Sequence, residues 1–423
     1  MPEKPVDVFV QIGDEDVPAG RLWPHRRRNT EWATFAYDNS YLAFPHAYAL
    51  DPGLPLVAGQ QQTPTGRALV GAFSDCAPDR WGRRLINRVE ERRARDQGGA
   101  ARSFGEADYL LGVRDDLRQG ALRFRDPESS VYLAPDQTGI PFLIGLPELL
   151  SASERMERDE ATAAELRALL RGGSSLGGAR PKAHVLGADG EIEIAKFPSP
   201  SVDEWDVMRW ESVALRLARD SGISVSDSKL HVIDGKPVLV VDRFDRIGPR
   251  RLGYVSAMTL LEAPDGSSGS YVDIAEAIEE HSPAAAKDLR ELWRRIAFSV
   301  LISNTDDHLR NHGFLRLSTA GWSLSPAFDL NPDPSPGIKH LNTAIDYSTT
   351  DARVDVLLEV AEMFRLDDDG AYAVLREVSN ATAAWRLVAA EAGLDAAQIE
   401  RMAHAFDHDQ AERARELLSS SQA

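Results

Sequence analysis

Cysteine is almost missing from this chain. Cys76 is the single example in 423 residues, which excludes an intramolecular disulfide and any Cys-rich zinc site. Long apolar runs are missing as well. No segment reaches the roughly 18 consecutive apolar residues that a membrane-spanning helix needs, and the opening stretch MPEKPVDVFVQIGDEDVPAG has no apolar signal-peptide core. These absences make a reduced cytoplasm the expected compartment. Internal repeats and long low-complexity tracts are absent too. The Gly/Ser-rich segment near residue 175 matches neither GxGxxG nor the Walker pattern GxxxxGK[ST], so no familiar phosphate-loop signature settles the chemistry.

What is present is an ordinary globular composition, 43% hydrophobic and 27% charged, with room for two or three domains. The net charge of −18 is unevenly spread: the first 125 residues carry 18 Lys/Arg against 17 Asp/Glu, so the acidity lies beyond them. A basic cluster runs through that first part, from Arg26–Arg28 to Arg80, Arg83, Arg84, Arg88, Arg92, Arg93 and Arg95. A solvated helix face is its ordinary meaning, and a surface for nucleic acid or an acidic partner the less common one.

The first 50 or so residues alternate as β-structure in VDVFVQIG and TEWATFAYD, and a helix is expected over 78–96 with Pro78 at its start. Residues 126–142, with three prolines and a glycine, read as a boundary loop, and two helices follow, the second capped at Gly172-Gly173. Next come a hairpin through Ala188-Asp189-Gly190, a helix ending at Gly222, and two strands joined at Asp234-Gly235. Beyond Asp273 the pattern is mainly helical. The expected class is α+β with three parts: 1–125, 126–272 and 273–423.

The chemistry concentrates in NTDDHLRNHGF, Asn304 to Phe314, and in SPAFDLNP around Asp329. Asp306 and Asn311 lie five positions apart, and Asp329 follows 18 later. A protein-kinase catalytic loop has this layout: an Asp that receives the hydroxyl proton, an Asn that holds Mg²⁺, and a downstream Asp that bridges metal to phosphate. It points to phosphoryl transfer from ATP, although neither HRD nor DFG is present. The four polar groups Asn304, Asp306, Asp307 and His308 directly after an apolar helix are expected outside the core. Upstream, the period of two places Ile192, Ile194 and Lys196 on one strand face, so the ammonium emerges from an apolar floor toward the α/β-phosphates. Glu211, in the next helix, is the acid best placed to orient it. Gly177 and Gly178 let backbone approach phosphate oxygens, with Arg180 and Lys182 adding positive charge.

A rival reading takes His308 and His312, four apart, as zinc ligands with Asp306 and Asp307 nearby. It lacks the Glu of HExxH, and Asn311-His312-Gly313 suggests a turn where that geometry needs a continuing helix. In the kinase reading His308 instead supports the catalytic loop.

Five segments, SSLGGARPKA, IAKF, VDRFDR, NTDDHLRN and AFDLNP, together resemble one family: the HipA-type serine/threonine kinases, toxin halves of bacterial HipBA toxin–antitoxin modules. FSDCAPDRWGRRL and LGVRDDLRQGALRF resemble the family's small N-terminal accessory subdomain, so the likeness runs over nearly the whole chain. The resemblance implies a protein-kinase-like bilobal fold with a Gly/Ser phosphate loop in its N-lobe and a helical C-lobe. It implies Asp306 as catalytic base, Asn311 and Asp329 as Mg²⁺ ligands, Lys196 as the ATP-phosphate lysine, and Asp242 and Phe244 in the hinge that meets adenine. Ser175, with Ser174 beside it, aligns with the loop serine whose autophosphorylation shuts these kinases off, although GGARPK departs from the usual Gln-Glu-Lys form. A HipB-like helix-turn-helix antitoxin, DNA contact through that antitoxin, and a translation-related protein substrate such as an aminoacyl-tRNA synthetase are further implications. Two alternatives stand beside it: a small-molecule kinase of the aminoglycoside phosphotransferase type, and an inactive kinase fold kept as a co-repressor or interaction module.

Overall fold

The computed structural model describes residues 4–28, 30–133, 140–173 and 178–420. The chain divides into two compact units. The first combines the chain up to Val202 with Val232–Pro264 and Leu315–Thr319; the second combines Asp203–His231, Asp265–Phe314 and Ala320–Ala423.

The first unit opens on the strands that alternation predicts: β1 (Val6–Ile12), β2 (Glu15–Arg27) and β3 (Thr30–Tyr37), joined by β4 (Gln60–Gln62) and β5 (Leu122–Arg125) in the order β4-β3-β2-β1-β5. The β1–β2 and β2–β3 pairs are antiparallel. Val8, Val10, Leu22, Phe35 and Phe124 turn inward and are buried. Phe73 meets Phe35 and Phe124 edge-on at 5.6 and 5.8 Å. Gly20 is required by close approach, since a Cβ there would lie 2.2 Å from the carbonyl oxygen of Ala36.

The second sheet of this unit contains Lys182–Leu186, Ile192–Lys196 and Lys236–Asp242, with Ile192–Lys196 antiparallel to both others. The turn at Ala188-Asp189-Gly190 forms as expected, Gly190 taking φ +85°. Period-two alternation then separates the faces. Ala183, Val185, Ala195, Phe197, Val238 and Val240 pack under Leu149, Leu150, Met156, Leu166 and Leu169 of the helices Leu146–Glu157 and Ala163–Arg171, together with Trp81 and Leu85 of Arg80–Asp96. Burying each of the larger side chains stabilises by roughly 1.5–3 kcal/mol. The N-terminal segment thus shares a core with this sheet. The Arg80–Asp96 helix starts where Asp79 caps the Gly82 amide at 2.6 Å.

Five of its seven arginines are paired locally with acids. Arg83 pairs with Glu106, Arg84 with Glu157, Arg88 with Glu91 and Asp159, Arg92 with Asp96, and Arg93 with Glu90. A helix so matched by acids presents much less net positive field than its sequence suggests.

The second unit is mainly helical. Val207–Asp220 is capped by Asp206, which accepts the Arg209 amide at 3.0 Å, and the chain turns at Gly222 with φ +78°. Its Trp210 is buried near Trp385 and Phe406, which stack on each other at 4.7 Å. Ala285–Leu301 buries Leu289, Leu292, Trp293, Ile296 and Phe298, and the Trp293 indole donates to the Leu357 carbonyl at 3.1 Å. Among the described residues no helix is long and apolar enough to cross a membrane.

Candidate active site

In the second unit, the Ala285–Leu301 helix ends in a left-handed turn. The Asn304 amide donates to the Ser299 carbonyl at 2.9 Å while buried Ser303 takes φ +54°. This stop throws the chain into the polar loop, and two of its members go inward. Asn304 and Asp307 are buried, contrary to the expectation that this polar cluster lies outside the core; only Asp306 of the four is exposed, with His308 half-buried.

The reason is a set of waiting partners. Asp307 accepts hydrogen bonds from the Tyr271 hydroxyl and, at 3.0 Å, from Ser299, and lies 2.9 Å from the His312 ring. Burial alone would raise the Asp307 pKa. The attraction and hydrogen bond of His312, with the two hydroxyls, outweigh it and hold the carboxyl below its usual range. Burial and the neighbouring Asp307 push the Tyr271 phenol well above its ordinary value. His312 is thus the histidine that meets the buried Asp307 carboxylate, while His308 stands half-buried in the same loop. His312 follows a short 3-10 turn, Leu309–Asn311, and is itself extended, so the helix needed for a two-histidine zinc motif does not continue. Among the described residues no group of three or more His, Cys, Asp or Glu is arranged to hold a metal.

Asp306 and Asn311 are brought together. The Asn311 side-chain amide donates to the Asp306 backbone carbonyl at 2.9 Å, and its main-chain amide to the His308 carbonyl at 2.8 Å. The segment carrying Asp329 is laced to the same loop. Asn304 Oδ1 accepts the Asn331 amide at 3.3 Å, and Ser303 accepts the Asp333 amide at 3.1 Å. Asp329 is half-buried and left-handed, at φ +55°, a conformation that non-glycine residues hold only where the surroundings impose it. With its NH₂ committed to Asp306, Asn311 offers an amide oxygen; with the Asp329 carboxylate this is a hard-oxygen donor pair of the kind that Mg²⁺ takes alongside phosphate and water. The chemistry of this donor set suits such an ion. Glu211 is buried on the Val207–Asp220 helix of this unit.

In the first unit, Lys196 is half-buried at the end of its strand, opposite Leu239 on one side and Lys182 on the other. The apolar floor exists: Ile192 and Ile194 share its face. Lys182, however, does not serve as loose positive charge for the loop. It is buried in an ion pair with Asp79 at 2.8 Å, and its carbonyl accepts the Trp81 indole at 3.2 Å. Gly178 takes φ +115°. Ser175 and Gly177 lie outside the described residues, as does Ser174. The root of the loop is held by buried His184, whose amide and Nδ1 lie 2.6 and 2.7 Å from the Gly172 carbonyl; burial and Arg243 keep the ring's pKa well below normal, so Nδ1–H donates from a neutral ring.

Asp242 is exposed, and Phe244 is half-buried 6.1 Å from the Tyr254 ring. Their neighbours point the other way. Arg243 and Asp245 are buried in a bidentate pair at 2.9 and 2.8 Å, Asp245 also takes Arg246 at 2.8 Å and the Gly120 amide at 2.7 Å, and Arg243 donates to the Leu117 carbonyl. Asp245 and Tyr271 are the residues that sequence reasoning missed, whereas Asp307 and His312 entered it as site residues only through the zinc reading. Alternation along VDRFDR is a signal for the first; Tyr271 lies 36 positions from its partner and leaves none.

Comparisons with known proteins agree with this organisation. Residues 174–385 match the HipA-like C-terminal domain, and residues 10–106 the HipA N-terminal domain. The chain belongs to the HipA family. It is similar to a Haemophilus influenzae protein named as a candidate kinase, 26% identical over 188 residues, covering 39% of this chain and 55% of that protein. It is also similar to Escherichia coli Toxin YjjJ, 30% identical over 171 residues, covering 38% of each chain. These matches span about half or less of the relatives' own length. Among solved structures, the Shewanella oneidensis MR-1 HipA from a complex with HipB and operator DNA superposes with a TM-score of 0.65 at 18% identity, covering 98% of this chain and 99% of that one. The fold is therefore the expected α+β, kinase-like one.

Proposed function

We propose that this chain is a HipA-like toxin kinase that transfers the γ-phosphate of ATP to a serine or threonine hydroxyl of a protein. The observation that carries the reading is the contrast at Asp306 and Asp307: one carboxylate exposed at the head of a loop, the next buried and braced by Tyr271, Ser299 and His312. Phosphoryl transfer asks mostly for positioning and charge neutralisation, because its transition state needs little covalent help. Asp306 accepts the proton of the attacking hydroxyl. Asn311 and Asp329 would hold Mg²⁺, which neutralises charge on the phosphates when bound. Lys196 contacts the α/β-phosphates and Glu211 orients it, while Gly177 and Gly178 approach phosphate oxygens and Asp242 and Phe244 lie at the adenine hinge. Residues 1–125 form the accessory subdomain, 126–272 the N-lobe and 273–423 the C-lobe.

Ser175 is the proposed autophosphorylation site, a HipB-like helix-turn-helix protein the proposed antitoxin, and the cytoplasm the proposed compartment. The Shewanella complex supports that partner, and the pairing of the Arg80–Asp96 arginines supports DNA contact through the antitoxin alone. A translation-related protein is the proposed substrate. The test is incubation with γ-³²P-ATP, Mg²⁺ and a cell lysate. Label is expected in protein and lost in Asp306→Ala; label in a small metabolite, or transfer retained by that variant, would overturn the reading.

A further inference from the structure

The segment after Asp329 returns to the catalytic loop and lays residues 341–345 along it. Alternate residues Leu341, Thr343 and Ile345 are buried, while Asn342 between them is exposed. The segment is secured from both sides. Leu341 and Ile345 donate backbone amides to Thr350 and Thr349 at 2.7 and 3.2 Å, and Ala344 donates to Gly269 at 3.0 Å and accepts from Tyr271 at 2.8 Å. Against the loop, the Asn342 amide donates to the Thr305 carbonyl at 3.2 Å and the Thr343 hydroxyl to the Asp307 carbonyl at 2.6 Å. Between these two ties, the Asn342 side chain donates to Asp306 Oδ1 at 3.0 Å.

We infer that Asn342 is the positioning residue for the base, an assignment that rests on the kinase reading above. An exposed aspartate has freedom about χ1 and χ2. A donor on an anchored backbone removes it, engaging Oδ1 and directing Oδ2 to the acceptor hydroxyl. As the bond from the hydroxyl oxygen to Pγ forms, the bond from Pγ to the β–γ bridging oxygen breaks and its electron pair leaves with ADP. The hydroxyl proton passes to Oδ2. A neutral amide suits this role because a lysine or arginine there would stabilise the carboxylate and weaken its affinity for the proton. The sequence hides the role: Asn342 lies 36 positions from Asp306 in an unremarked LNTAI run.

The test compares wild type, Asn342→Ala, Asn342→Asp and Asp306→Ala in γ-³²P-ATP transfer to lysate protein across pH 5–9. Asn342→Ala is expected to lose about 10- to 100-fold in rate at saturating ATP, because a base misplaced by about an ångström costs that order, with the KM for ATP unchanged. Asn342→Asp sets a second carboxylate within hydrogen-bond distance of the base, so the pair shares a proton. The acid limb of its rate profile should move up by about one pH unit or more, a shift that a merely structural role would not produce. Wild-type rate and limb in both variants, with Asp306→Ala inactive, would overturn the assignment and leave the kinase reading standing. Activity in Asp306→Ala, or no transfer by wild type, would overturn both.

Discussion

Two short polar segments, VDRFDR in the first unit and NTDDHLRN in the second, solve one problem in different ways. Each turns one acid outward and buries another within three residues: Asp242 and Asp245 in the first, Asp306 and Asp307 in the second. Around Asp245 the buried charge is matched by charge, with Arg243 and Arg246 both at 2.8 Å. Around Asp307 it is matched by one histidine and by two neutral hydroxyls, those of Tyr271 and Ser299. A cluster of full charges holds a loop rigidly but is strongly destabilised when one member is lost. A carboxylate that keeps a histidine and a second hydroxyl tolerates the loss of one neutral donor better. The buried acid in each case builds the scaffold and leaves its neighbour at the surface.

The comparison can be broken or sharpened by mutation. Asp306→Ala has the largest expected effect, a loss of transfer of about 10³-fold or more with the far-ultraviolet circular dichroism unchanged; Asp242→Ala, its counterpart in the other segment, should cost far less. Asp245→Ala comes next. Leaving two buried guanidinium groups unpaired should destabilise by about 3–5 kcal/mol, read as a lower denaturation midpoint in urea. An unchanged midpoint would mean that the cluster carries no structural role.

Acid titration follows. For Asp245, burial works to raise the pKa, but Arg243 and Arg246 outweigh it, so its folded value lies below the ordinary range as that of Asp307 does. A depressed carboxylate contributes stability that is complete above its unfolded pKa, near 4, and lost as pH falls through the folded value. Stability should therefore decline below about pH 4, and less steeply in Asp245→Asn. A parallel decline in the two proteins would contradict the assignment. The smallest effect is Tyr271→Phe, which removes one of the donors on Asp307 and should cost about 1–2 kcal/mol; a loss as large as that of Asp245→Ala would erase the distinction between the two scaffolds.

Much of this was legible in residue order. The alternation of Ile192, Ile194 and Lys196 gave the sidedness of that strand, and Gly190, Asp234-Gly235 and Gly222 marked turns that form. Local pattern failed where a polar side chain had a partner far away. Nothing near Lys182 announces Asp79, 103 positions earlier, and nothing near Asn304 announces that its oxygen will orient Asn331. A run of polar residues after an apolar helix reads as solvent-exposed unless those partners are known, because unpaired burial is costly and paired burial is not.

By itself, then, the sequence determined the α+β class, most element boundaries and the spacing of Asp306, Asn311 and Asp329, since these depend on periodicity, turn chemistry and chain distance. Tertiary structure alone decided which of two adjacent aspartates is buried, which histidine meets it, and that Asn342 meets Asp306. Such choices follow from hydrogen-bond partners brought together across tens of residues, and no local rule carries that information.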